Sequence, residues 1–310
     1  MVLTESMVVT HGSLQSARGR CALTIGNFDG VHRGHRALIE HVTAKARELR
    51  LTSCVLTFEP HPREFFAREA APARITRLRD KLELMAAAGV KRVHVARFDA
   101  RFAALPAARF IDQVLVRGLG VRWLLVGRDF RFGERRSGDF ATLEDAALRH
   151  GFDLEEMPDV LFDGERVSSS AVRAALKAGD LQGAERLLGH PYTISGRVAH
   201  GAKLGRGLGF PTANIVLRRT APVSGIFAVE VEGLGQGVAS VGRRPTVNPV
   251  PIPLLEVHLF DCDRDLYGEH IKVRFLKKLR DEQKYEGLEA LRRAIARDAE
   301  QAKEYFATHG

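Results

Sequence analysis

His32 and His35 are the residues of this chain best placed to do chemistry. They stand three apart in Gly26-Asn27-Phe28-Asp29-Gly30-Val31-His32-Arg33-Gly34-His35, between a short apolar run, 21–25, and a helical pattern through Ala37, Leu38, Ile39, Val42 and Ala46. A strand, a glycine-rich turn and a helix in that order aim backbone N–H groups and a helix N-terminus at an anion. The two imidazoles can donate hydrogen bonds to phosphate oxygens as charge builds during transfer. Gly26, Asn27 and Phe28 shape the turn, and Gly34 leaves room for a phosphate beside the backbone. No Gly-Lys-Ser/Thr follows, so the turn does not hold a triphosphate as a P-loop does.

Three further groups have the same flavour. Val167-Ser168-Ser169-Ser170-Ala171-Val172-Arg173 offers a helix cap and, one turn in, a guanidinium that can grip phosphate. Three serines and an arginine exceed what a cap requires, so Ser169, Ser170 and Arg173 are candidate phosphate ligands. Gly127-Arg128-Asp129-Phe130-Arg131-Phe132-Gly133 places charge beside aromatic rings, which suits an anionic, flat ligand and makes Asp129 a site candidate. In the second half, Gly201-Ala202-Lys203-Leu204-Gly205-Arg206-Gly207-Leu208-Gly209 is a basic glycine loop able to wrap phosphates, with Gly205, Arg206 and Gly209 as candidates. Pro211-Thr212-Ala213-Asn214 follows it, and Thr212 and Asn214 present uncharged oxygens at alternate positions, able to face one Mg²⁺. Glu256 sits within an apolar run, where a carboxylate is costly unless paired or working; a general base would look like this, as would a wall residue facing solvent.

The elements needed to position these groups can be read around them. Through the first half, apolar runs at 53–58, 92–96 and 123–126 alternate with helical patterns at 77–88 and 107–117, the pattern of a parallel α/β sheet. Met7-Val8-Val9 adds an edge strand. The prolines of Glu59-Pro60-His61-Pro62 exclude helix there and fix an extended loop. The turn after Ile25, this loop and the Gly127–Gly133 loop all fall at strand C-termini, where such sheets bind ligands. A helix from Leu181 breaks at Gly189-His190-Pro191, after which strand-like runs follow one another at 192–195, 226–231, 237–241, 254–260 and 271–275. Their glycine and proline turns favour an antiparallel barrel or sandwich, closed by an amphipathic helix, 288–306. Two domains are expected, 1–188 and 189–310.

Charge and composition narrow the function. The net charge of +9 is spread over both halves, which suits phosphate-rich small substrates and argues against a clustered nucleic-acid face. Cys21, Cys54 and Cys262 are far apart in sequence without a C-x-x-C pair and read as reduced core thiols. With no apolar run of membrane-spanning length and no signal-peptide pattern, the chain reads as cytoplasmic.

Taken in order, the motifs resemble a known family. The opening turn, Phe-Glu-Pro-His-Pro at 58–62, the loop at 126–133 and the serine motif at 167–173 resemble the nucleotidyltransferase module of bacterial bifunctional riboflavin kinase/FAD synthetases. Leu204–Asn214, Gly225–Val229, Gly242–Thr246, 255–261 and Asp-Leu-Tyr-Gly at 265–268 resemble the riboflavin kinase module of the same proteins. The resemblance runs from Gly26 to the closing helix; Asn248 departs from it in one loop. It implies a nucleotidyltransferase-type, Rossmann-like α/β domain followed by a riboflavin kinase-like β-barrel. It further implies two ATP-dependent steps with Mg²⁺: riboflavin to FMN with release of ADP, then FMN to FAD with release of pyrophosphate. In that reading Glu256 is the kinase base, Thr212 and Asn214 hold Mg²⁺, His32 and His35 stabilise charge in adenylylation, and Ser169, Ser170 and Arg173 hold phosphates. No membrane and no specific nucleic acid partner is implied.

Overall fold

A computed structural model describes residues 7–12, 19–67, 69–158, 160–200, 207, 209–217, 219–244 and 252–309. The chain forms two compact units. The first comprises Met1–Pro72 and Leu78–Val167, the second Ala73–Arg77 and Ser168–Gly310.

The first unit is built on a parallel sheet. Its strands are β1 (Val8–His11), β2 (Cys21–Ile25), β3 (Thr52–Glu59), β4 (Arg92–Arg97), β5 (Val121–Gly127) and β6 (Asp153–Met157), in the spatial order β1-β4-β3-β2-β5-β6. Helix α1 (Arg33–Glu48) follows β2, α2 (Pro62–Phe66) follows β3 and α3 (Leu78–Ala87) precedes β4. β2 is buried at every residue, as a strand covered on both faces must be. Every neighbouring pair is parallel, so the ends of β3, β2 and β5 lie side by side and gather the three expected loops at one edge. A small hairpin, β7 (Leu161–Phe162) with β8 (Glu165–Arg166), ends the unit.

Several local expectations are corrected. The Glu59–Pro62 stretch does not stay extended: Pro62 is the first residue of α2, capped by His61, which accepts from Arg63 N while Glu64 reaches back to His61 N. Proline has no N–H to lose in a helix's first turn, so it starts helices as readily as it stops them. The helix expected over 107–117 runs from Ala107 but widens into π-helical turns over Phe110–Leu119. Cys21 and Cys54, distant in sequence, meet on neighbouring strands beside the buried Arg92, whose Nε donates to Cys54 Sγ at 3.4 Å. The Cys21 hydrogen bond and the Arg92 charge lower the Cys54 pKa, while the same bond and burial raise that of Cys21.

The second unit is a closed antiparallel barrel. β9 (Thr193–Ala199), β10 (Ala213–Val216), β11 (Gly225–Val231), β12 (Gly235–Arg244), β13 (Ile252–Leu259) and β14 (His270–Arg280) close in the order β10-β13-β12-β11-β14-β9. Phe227, Val229, Val231, Ala239, Val241, Leu255, Val257, Val273 and Phe275 fill its interior. Strand alternation sends their neighbours outward, and the helix Leu288–His309 covers part of that outer face through Ala299, Ala302 and Phe306 against Ala228 and Val238. The helices Ser169–Ala178 and Leu181–Leu188 also belong here: Val172, Leu176, Leu181, Ala184 and Leu188 join the barrel's apolar cluster. The compact units therefore part between Val167 and Ser168, ahead of the Gly189–Pro191 break.

Candidate active sites

The first site grows from the turn between β2 and α1. Phe28, Gly30 and Val31 adopt positive φ of 49°, 88° and 40°. For a β-branched valine this is a strained conformation, and here it is held by packing, with Phe28 and Val31 both 1 % exposed. Asn27 is anchored through its carbonyl, which accepts from Lys81 Nζ at 2.6 Å and Thr57 Oγ1 at 3.3 Å. His32 caps α1: its Nδ1 accepts from His35 N at 3.3 Å. An imidazole that accepts at Nδ1 carries its proton on Nε2, which fixes the edge from which it donates. The two rings stack 3.6 Å apart at 17°, with Phe28 5.0 Å from His35 on the other side.

Gly34 serves this stack. A β-carbon there would lie 3.3 Å from the His32 ring and 3.4 Å from the Val167 carbonyl, so a side chain at 34 would press on the imidazole. The hairpin lies beside the same turn, with Arg33 over the Phe162 ring at 4.3 Å and Arg166 3.6 Å from Asp129. Asp129 itself is exposed, and Arg128 pairs with Glu156 at 2.8 Å, so the charges of the Gly127–Gly133 loop have local partners.

An aromatic array that sequence reading missed occupies the same sheet edge. Phe58 at the end of β3 meets Phe98 and Phe102, Phe98 meets Phe65 and Phe66 of α2, and Phe102 leads through Phe110 to Phe132 and Phe130. Phe66 is 69 % exposed at its outer end. The sequence signal is the doubled Phe65-Phe66 directly after a helix-starting proline. Lys81 was also missed; its signal is a lysine four residues before the buried Met85 on one helix face.

The second site lies on the barrel's outer face. Asn214, Glu256 and Ser240 stand side by side in register on β10, β13 and β12, and so point the same way, opposite to the core-facing Leu255 and Val257. Glu256 thus points away from the core, as a wall residue would, but the helix Leu288–His309 roofs it. Thr212, Ser240 and Glu256 line a cavity of about 230 Å³ whose walls include Phe210, Ile226, Val238, Tyr285, Leu291 and Ile295. Asn214 Nδ2 donates to the Thr212 carbonyl at 3.1 Å, while its Oδ1 is buried without a hydrogen-bond partner among the described residues. A clamp joins the roof to the barrel: Arg280 donates to both carboxylate oxygens of Asp298, at 2.7 and 2.5 Å. That bond holds the Arg280 pKa above its ordinary value. Gly209 turns the chain at φ 86° just before Phe210; Gly205, Arg206 and Asn248 lie outside the described residues.

In the Val167–Arg173 motif, Ser168 is the structural cap, accepting from Ala171 N at 3.2 Å. Ser169 and Ser170 open the helix, and Arg173 Nε donates to the Ala73 carbonyl at 2.7 Å. These residues belong to the second unit, His32 and His35 to the first.

Comparison with known proteins divides the chain the same way in kind. A family described as FAD synthetase matches residues 14–171, and one described as riboflavin kinase matches 188–306. The bifunctional riboflavin kinase/FMN adenylyltransferase of Escherichia coli K12 is 52 % identical over 301 residues, 96 % of each chain. That of Haemophilus influenzae is 49 % identical, over 92 % of this chain and 94 % of its own. A crystal structure from Streptococcus pneumoniae, described as a macrolide-efflux protein, superposes with a TM-score of 0.76 at 27 % identity, covering 94 % of this chain and 97 % of that one. Among the described residues of this chain, no helix is long and apolar enough to cross a membrane. The chain belongs to the bifunctional riboflavin kinase/FMN adenylyltransferase family, ATP-dependent enzymes that phosphorylate riboflavin to FMN and adenylylate FMN to FAD.

Proposed function

We propose that each reaction has its own residues in its own chemical module, adenylylation in 1–188 and phosphorylation in 189–310. The observation that carries this is the cavity on the barrel, where Glu256 shares a wall with Thr212 and a register with Asn214. Glu256 takes the proton from the ribityl 5′-hydroxyl of riboflavin as that oxygen attacks the γ-phosphorus of ATP. The apolar walls, Phe210, Ile226, Val238 and Leu291, suit a flat ring system. The Asn214 Oδ1, buried and without a hydrogen-bond partner among the described residues, together with the Thr212 hydroxyl makes the uncharged oxygen set that Mg²⁺ accepts. When bound, the ion would neutralise charge on the phosphates. Gly205, Arg206 and Gly209 are assigned to the phosphate loop of this module.

Adenylylation belongs to the turn of the first unit. Gly26, Asn27 and Phe28 hold the nucleotide edge, and His32 Nε2 and the stacked His35 donate to the α-phosphate as an FMN phosphate oxygen attacks it. The exposed end of the aromatic array, Phe65 and Phe66, offers rings for the isoalloxazine, with Asp129 at the border of the same crevice. Ser169, Ser170 and Arg173 are assigned as a further phosphate-binding element at their helix start. The chemical modules run 1–188 and 189–310, although the helices of 169–188 complete the barrel's core. The setting is cytosolic, where the free thiols Cys21, Cys54 and Cys262 stay reduced.

The test is incubation of the purified protein with riboflavin, ATP and Mg²⁺, followed by chromatographic separation of flavins in the parent and in variants of each site. Loss of FMN formation on changing Glu256, and of FAD formation alone on changing His32 and His35, is the expected pattern. With FMN supplied separately to assay adenylylation by itself, loss of both steps from either change would end the assignment.

A further inference from the structure

The cavity on the barrel holds three carboxylates: Glu256 on β13, Asp298 on the roofing helix and Glu282 in the segment after β14. Asp298 is fully engaged by Arg280. Glu282 makes no hydrogen bond or ion pair among the described residues, and it lies across the α-carbon of Gly242, where a β-carbon would overlap its carboxylate. Gly242 stands two residues from Ser240 on β12, and Ser240 pairs with Glu256. The absence of a side chain at 242 is thus what lets a second carboxylate settle on the patch that bears the first. Burial, then the charge of Glu256, raise the Glu282 pKa, with Arg280 opposing them. His258, Arg280, Tyr285 and Asp298 are the other titratable or charged groups lining this space.

We propose that Glu282 is the second proton carrier of the kinase step, receiving from Glu256 the proton of the ribityl hydroxyl and handing it to solvent. The inference rests on Glu256 being the base. In the step, the ribityl O–H bond breaks and its proton goes to a Glu256 oxygen. The ribityl oxygen bonds the γ-phosphorus, and the bridging P–O bond breaks with its electron pair leaving on ADP. Glu256 is half-buried, and substrates filling the cavity close it from bulk water. Glu282 is exposed, so a proton passed to its carboxylate exchanges with water and resets Glu256. A carboxylate whose pKa is raised accepts that proton more readily near neutrality. As pH falls through the raised pKa, Glu282 is already protonated and turnover declines.

The test compares Glu282→Gln, Glu282→Asp and Glu256→Gln in the full-length protein, following FMN formation from riboflavin and ATP across pH. Glu282→Gln is expected to lower kcat about tenfold, less than the hundredfold or more typical of the group that takes the proton in the transition state, because Glu282 acts after it. It should keep the KM for riboflavin and for ATP, and lose the acid-side decline that Glu282 sets. Glu282→Asp is expected to restore most of kcat together with that decline. A parental kcat and pH profile in Glu282→Gln, a loss confined to KM, or no rescue by Asp would overturn the relay. Glu256→Gln separates the two ideas. If it is inactive while Glu282→Gln behaves as the parent, only the relay falls; if it turns over normally, the base itself has been misassigned.

Discussion

The two sites of this protein are made in opposite ways. In the first unit the backbone sets the geometry: a strained turn at the end of a buried parallel strand, with positive φ at Phe28, Gly30 and Val31, feeds a helix whose cap is itself a candidate site residue. In the second, ordinary extended strands carry Asn214, Ser240 and Glu256 on an outward face, and a helix laid over that face turns a wall into a cavity. A parallel sheet supplies its crevice by topology, because all its strands end on one side. A barrel with a packed interior offers none until something covers its surface. The first site should therefore answer to changes in the turn, and the second to changes in single side chains and in the roof.

The largest effect that sharpens this contrast is expected from His32→Ala with His35→Ala. Each donor aimed at developing charge is worth about a hundredfold or more, so the pair should cost on the order of 10⁴ in FAD formation from supplied FMN. Riboflavin should still be converted to FMN at the parental rate, measured in the same preparation. Next comes Glu256→Gln, expected to lower FMN formation by about 10³ while FAD formation from FMN persists. Near-parental kinase turnover would return Glu256 to the role of a wall residue. A smaller effect tests the roof: Asp298→Ala leaves Arg280 without its carboxylate. Because Arg280 is itself partly exposed, the loss should be about 2 kcal/mol, below the cost of breaking a fully buried pair. Thermal unfolding of the barrel followed by calorimetry would show it, and an unchanged transition would mean that apolar packing alone holds the helix. The smallest is Phe66→Ala, expected to raise the KM for FMN in adenylylation about fivefold, or about 1 kcal/mol of ring contact, with kcat kept. No change in KM would remove the exposed end of the array from the flavin site.

How much of this was legible in the sequence differs between the units for the same reason. The His32–His35 motif was plain because a turn of special backbone needs glycines at set places and a helix start beside them, which leaves a contiguous pattern. What surrounds Gly34 was not legible, since the ring and carbonyl beside it belong to residues 2 and 133 positions away. Glu256 could be singled out as a carboxylate among apolar neighbours, yet alternation alone allowed solvent on that face. Only the closing of the barrel and the packing of Ala299, Ala302 and Phe306 show that the face is covered. The aromatic array as a whole escaped because its members come from β3, α2, the helical turns over 100–119 and two loops, each unremarkable by itself. That the helices of 169–188 pack into the barrel's apolar cluster was not legible, because helix amphipathicity says that Leu176, Leu181 and Leu188 are buried, but not against which partner. Pro62 shows a simpler failure: one residue type, two helical meanings, decided by whether the N–H it lacks was needed.

The most direct test of separate chemistry is to supply riboflavin, ATP and Mg²⁺ to Glu256→Gln, to His32→Ala/His35→Ala and to an equimolar mixture of the two, and to separate the flavins formed. Expected are little product from the first, FMN without FAD from the second, and FAD from the mixture, as FMN made by one protein is adenylylated by the other. A mixture that makes no FAD although each variant keeps its own remaining step would show that FMN does not pass freely between proteins. A variant that loses both steps while still folded would contradict two independent sites.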